Sequence, residues 1–149
     1  MRFFIALCAL IAISIPVHAE SERWIIKSSA LPVADTAALL ETVIEASPAE
    51  LVAKIDHAAA ARQNDLEMGD SVLFVFGNPV IGTPLMREEP AIGLELPAKI
   101  LVYDNGGHTL VGYVDPRQLA LEYGIDPEHD SIAKLAGALD KFTDQATGK

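Results

Sequence analysis

Asp56 and His57 stand together where the alternating run "ELVAKIDH" meets an alanine-rich stretch. An imidazole beside a carboxylate can ligate a metal or carry a proton. A metal site needs further ligands at set spacing, and His57 has no such partner in the chain. The simpler role for His57 is a hydrogen bond to nearby backbone that fixes the strand end. His108 beside a turn and His129 near a helix start are expected at the surface. Asn78 and Thr83 flank the proline-rich "GNPVIGTP" and could offer an amide and a hydroxyl to a ligand, although turn and cap chemistry explains both types. Met68 and Met86 carry thioethers that copper or haem iron would accept, but methionine is more often core filler. Tyr113 could line a cleft, while Asp115 two residues on is suited to cap a helix and Trp24 to serve in a core or interface. The ligand-binding candidates are thus Asp56, His57, Asn78, Thr83, Met86 and Tyr113. The sequence contains no G-x-S-x-G, H-E-x-x-H, Walker loop or G-x-G-x-x-G, so no catalytic residue is assigned and no metal or other cofactor is expected.

These residues must be held by the elements around them. "RWIIKSS" reads as a first strand, and "VADTAALLETVIEA" as a helix with Ala37, Leu40, Val43 and Ile44 at helical spacing, ended by Ser47-Pro48. Leu51, Ala53 and Ile55 alternate, which suits a half-buried strand. "AAAARQNDLEMGD" mixes a helical start with a polar connection. "SVLFVFG" is nearly continuous apolar and is expected at the centre of the sheet. "AKILVYD" and "HTLVGYV" flank Asn105-Gly106-Gly107, whose residue types supply the positive φ angles of a hairpin turn. "DPRQLALEYG" is a short helix with an Asp-Pro start. "DSIAKLAGALDKF" places Ile132, Leu135, Ala136, Leu139 and Phe142 on one face, capped by Asp130 or Ser131, with "TDQATGK" as a frayed tail. The order β-α-β-β-β-β-α predicts a single α+β domain with an antiparallel sheet and helices on one face.

Between the third and fourth strands lie Pro79, Pro84, Pro90 and Pro97. Thr83-Pro84 reads as a helix start, with threonine as cap and proline at the first helical position. Pro90 closes that short helix, and Leu85, Met86, Ile92 and Leu94 are its expected apolar contacts. Prolines restrict the unfolded chain and so help hold a crossover in one shape.

The chain opens with Arg2, an apolar run from Phe3 to Ile15, and Val17-His18-Ala19, the pattern of a secretory signal peptide cleaved after Ala19. The run is short for a bilayer span, and no later segment approaches the roughly 20 residues required, so no membrane span is expected in the mature chain. Cys8, the only cysteine, would leave with the leader, removing disulfide, thiolate-metal and cysteine-nucleophile chemistry. Residues 20–149 are one domain's worth of chain. The net charge of −10 becomes one unit more acidic without Arg2 and repels phosphate backbones, which excludes nucleic acid as a partner.

"IDHAAAA", "FGNPVIGTPLM", "EEPAIGLELPAKILVYD", "VGYVDP" and "AKLAGALDKF" together resemble the domain of unknown function 302 family, over about Asp35 to Phe142. The chain departs from the family's usual pattern at "EASPAELVAKIDH", where a Lys-Gly turn is more common. The resemblance implies a small α+β domain with a strongly curved antiparallel sheet, similar to the TATA-binding-protein-like arrangement and often paired into dimers. It implies no activity. The expectation is an exported (periplasmic or secreted), non-catalytic binding or interaction module acting as a homodimer, with a cleft where the crossover meets the sheet. The alternative is an enzyme or a redox, metal or haem accessory protein using His57 with Asp56.

Overall fold

The computed structural model describes residues 23–149; the signal-peptide expectation falls on residues outside that range. Five strands, β1 (Trp24–Ser29), β2 (Glu50–Asp56), β3 (Ser71–Gly77), β4 (Ala98–Asp104) and β5 (Thr109–Val114), form one sheet in the order β1-β5-β4-β3-β2. Every neighbouring pair is antiparallel. The helices are α1 (Val33–Glu45), α2 (His57–Arg62), α3 (Pro79–Glu88), α4 (Pro116–Glu122) and α5 (Asp130–Thr147), with a 3-10 turn at Pro90–Leu94. The α+β architecture, its antiparallel sheet and its helices against one sheet face agree with the sequence reading.

The periodic residues do what their spacing requires. Ala37, Leu40 and Ile44 of α1, with Leu139 and Phe142 of α5, are buried against Phe74, Phe76, Ile100, Val102 and Val111 of the sheet. Gly106 and Gly107 take φ of +63° and +89° in the β4–β5 turn, a region where a Cβ would be strained. Asp115 caps α4, its Oδ1 accepting from the Arg117 N–H at 2.9 Å.

Several expectations are corrected. "SVLFVFG" is an interior strand, but β4 is the middle one, because β1 returns to pair with β5 at the far edge. Leu51 faces Phe76 while Ala53 faces Val75, so Val52 is an extra residue in β2. Such a bulge lets two residues oppose one and shifts which face follows. Leu51 therefore joins the core side, whereas Ala53 and Ile55 turn to the opposite face. Helix α5 is capped by His129, whose Nδ1 accepts from the Ser131 N–H at 3.0 Å, not by Asp130 or Ser131. It also runs on through the supposed tail, since Thr143 and Ala146 are fully buried and Lys27 reaches Asp144 at 2.6 Å.

The crossover differs most. Its helix begins at Pro79 with Asn78 as cap, the Asn78 Oδ1 accepting from the Val80 N–H at 2.9 Å. Thr83 and Pro84 lie inside it. Asn78-Pro79 offers the same cap-then-proline chemistry five residues earlier. Pro84 then forfeits one intrahelical bond on an exposed face, while Leu85 beside it is fully buried. Leu85 and Ile92 pack with Ala120, Ile125 and Ile132 in a second small core, while Met86 and Leu94 remain exposed. The crossover is thus long because it covers the ends of α4 and α5, work that a tight turn could not do.

Candidate functional site

The strand ends Glu50, Gly77, Ala98 and Val114 share one end of the sheet, as their pairing requires. At that end α3, the α1–β2 turn, the bulged Val52 and the inner face of α5 leave a cleft of about 420 Å³. Its inner wall is Phe76 from β3 and Phe142 from α5, with ring centroids 5.7 Å apart. Leu135 and Ala138 extend that wall along α5; Ile81, Gly82 and Met86 form the facing side on α3. Leu96 and Pro97, joined by a cis peptide bond, close the side next to β4. A Cβ on Gly82 would make only ordinary contacts, 3.6 Å from Leu96 Cδ1 and 3.9 Å from the Met86 terminal methyl. The polar residues along the cleft are Ser47, Asn78 and Thr83, with Glu50 at its rim where β2 begins. Ser47 is committed, its Oγ donating to the Ile44 carbonyl and accepting from the Ala49 N–H.

Of the six residues nominated from sequence, Asn78, Thr83 and Met86 line this cleft. Asp56 and His57 stand at the opposite end of β2, about 20 Å away at the ordinary strand rise. Asp56 caps α2, its Oδ1 accepting from the Ala59 N–H at 2.7 Å. His57 is exposed as the first residue of that helix, and the bond that closes the strand end belongs to Asp56. Tyr113 is 3% exposed and lies in the core. Burial raises the Tyr113 phenol above its ordinary value, and the Lys27 ammonium works against that shift. Lys27 is itself raised: burial acts to lower it, but hydrogen bonds to Asp140 and Asp144 outweigh that effect. These groups tie β1 to α5 beneath the sheet's covered face, away from the cleft. Met68 is half exposed in the α2–β3 connection, not core filler. Among the described residues no group of three or more His, Cys, Asp or Glu is arranged to hold a metal ion.

The sequence reading missed most of the cleft's walls. Phe76, Leu135 and Phe142 look like core residues in a one-dimensional pattern, and nothing local marks them as facing a gap. Val52 could not be found from alternation, because the bulge breaks it.

A second feature lies on the sheet's other face. Ile55, Leu73, Leu101, Gly112 and Ile26 form one row across all five strands. Ile26 is 48% and Trp24 53% exposed. A Cβ on Gly112 would come within 2.7 Å of Ile26 Cδ1, so the missing side chain lets Ile26 lie flat on the sheet.

Fold and site together define a two-layer α+β domain with an apolar cleft at one end of its sheet and an uncovered apolar sheet face. The chain belongs to the family described as domain of unknown function DUF302, whose model matches residues 24–145. A crystal structure of an uncharacterised conserved DUF302 protein from Bacillus stearothermophilus has the same fold, with a TM-score of 0.74 at 19% identity, over 85% of this chain and 99% of that one. Among curated proteins, fluoride-specific ion channel FluC 1 of Brucella suis is 34% identical over 82 residues, which is 54% of this chain and 32% of the channel. FluC 1 of Brucella abortus matches at the same identity over 30% of its length. The chain thus spans about a third of the curated relatives it matches.

Proposed function

We propose that this protein is an exported, non-catalytic binding module that holds a small apolar ligand in the Phe76–Phe142 cleft and acts as a homodimer. The observation that carries the reading is the cleft itself. Its volume falls within the range of small-molecule sites, and hydrophobic side chains line it with a few polar groups at fixed places. Of the described residues that line it, none is a histidine, lysine, arginine or cysteine that could act as a base or a strong nucleophile.

Pairing is supported by the uncovered sheet face. On a chain of net charge −10, two copies approach best where carboxylates are sparse. Among the paired strand positions on that face, Glu50 at the first residue of β2 is the only acid and Lys99 the only cation. Five strands of this length outline roughly 500 Å², the low end for a specific contact, so the dimer should depend on concentration. Export rests on the leader pattern in residues 2–19. The channel function named for the Brucella proteins is not carried across: the match covers a third of them, and no helix among the described residues is long and apolar enough to cross a membrane. Chemistry by His57 with Asp56 has less support, since the Asp56 carboxylate serves as a cap.

The test is titration of 1-N-phenylnaphthylamine, an uncharged fluorophore, together with sedimentation of the same sample. Saturable binding that Ala138→Trp removes, in a variant that still melts cooperatively, supports the cleft. Absence of saturable binding would sink it. A monomer at all concentrations, or a dimer that Ile26→Glu leaves intact, would sink pairing through the sheet.

A further inference from the structure

The polar groups of the cleft restrict the head group of whatever enters it. Helix α3 points its N-terminus at the cleft, and such termini usually attract anions through free first-turn N–H groups. Here those donors are spent. Pro79 has no N–H, the Val80 N–H is taken by Asn78 Oδ1, and the Ile81 and Gly82 N–H groups both donate to the Asn78 carbonyl, at 2.9 and 3.0 Å. Among the described lining residues there is no lysine, arginine or histidine to pair with a carboxylate or phosphate, and the single charged one, Glu50, is an acid. An anionic head would therefore lose its hydration without a partner, in the field of a strongly acidic chain. Glu50 is exposed, and an exposed ion pair with a cationic head gains little.

Two donors remain. The Asn78 side-chain nitrogen and the Thr83 hydroxyl make no hydrogen bond among the described residues, and both residues line the cleft. Building on the binding-module reading, we infer that the cleft takes an uncharged, mainly hydrocarbon ligand whose one carbonyl or hydroxyl oxygen accepts from Asn78 and Thr83. The hydrocarbon lies between Val52, Ile81 and Met86 on one side and Leu135 and Phe142 on the other.

Displacement of 1-N-phenylnaphthylamine from the full chain at pH 8 tests this with three heads on one tail: dodecan-1-ol below its solubility limit, and dodecanoate and dodecyltrimethylammonium below their micelle concentrations. Dodecan-1-ol should displace the probe at concentrations at least about tenfold lower than dodecanoate, the factor equivalent to 1.4 kcal/mol. Thr83→Val should weaken dodecan-1-ol several-fold relative to the probe's own dissociation constant, measured in the same variant; its exposed position makes a folding failure unexpected. Val52→Glu, at another exposed site, should weaken dodecanoate further. Dodecanoate binding as well as the alcohol would overturn the inference, as would tenfold preference for the ammonium, which would make Glu50 the head-group site. Failure of all three ligands and of the probe would remove the binding reading itself.

Discussion

The ring of Phe142 on α5 stands 5.7 Å from the ring of Phe76 on β3, tilted by 53°, and the pair belongs both to the main core and to the cleft wall. Stability and binding therefore share these two side chains. Phe142→Ala should destabilise the protein by about 3 kcal/mol or more, the usual cost of truncating a buried phenylalanine. Phe142→Leu should cost about 1.5 kcal/mol or less if its neighbours repack. Urea denaturation of both variants measures the difference; equal, small losses would mean that the wall is not packed as described.

Asn78 and Thr83 separate by their local roles. Asn78→Ala removes the α3 cap and should cost about 1 kcal/mol. Thr83→Ala, at an exposed site inside the helix, should stay within about 0.5 kcal/mol of the parent. Denaturant midpoints decide it, and the reverse ranking would restore Thr83-Pro84 as the helix start.

His57 provides a contrasting case. Its side chain is exposed, and Asp56 makes the bond that closes the strand end. His57→Ala should change stability by no more than about 0.5 kcal/mol, while Asp56→Ala should cost about 1 kcal/mol through the lost α2 cap. A larger loss at His57 than at Asp56 in thermal melts would contradict this assignment.

High pH should weaken the fold through the groups beneath α5. The Lys27 ammonium is held above its ordinary 10.5 by Asp140 and Asp144, which outweigh the opposing effect of burial. Burial likewise holds the Tyr113 phenol above its ordinary 10.0. In the unfolded chain both groups release protons at their ordinary values, so the folded state binds more protons above about pH 10. Their stabilising effect is complete below that point and is lost as pH rises through the folded values. The melting temperature should fall from about pH 10 upward, and Lys27→Met or Tyr113→Phe should flatten that fall. An unchanged slope in both variants would assign the loss to other groups.

Local chemistry alone determined a good part of this protein. The φ requirements of Asn105-Gly106-Gly107, the Asp115-Pro116 cap and the apolar faces of α1 and α5 each depend on residues a few positions apart, so they are legible without the fold. So was the family, through the run of motifs from "IDHAAAA" to "AKLAGALDKF". Tertiary structure decided what the same local signals could not. Asn78-Pro79 and Thr83-Pro84 are equivalent as helix starts, and the burial of Leu85 and Ile92 against α4 and α5 favoured the earlier one. The bulge at Val52 answers to the register of β3, not to the alternation of β2 itself. Antiparallel pairing with β3 put Asp56 and His57 at the end of β2 away from the crossover, and the packing of α5 on the sheet buried Tyr113 of β5. The cleft exists only where four segments distant in sequence fail to fill the space between Phe76 and Phe142, and a void of that kind has no signature in any one of them.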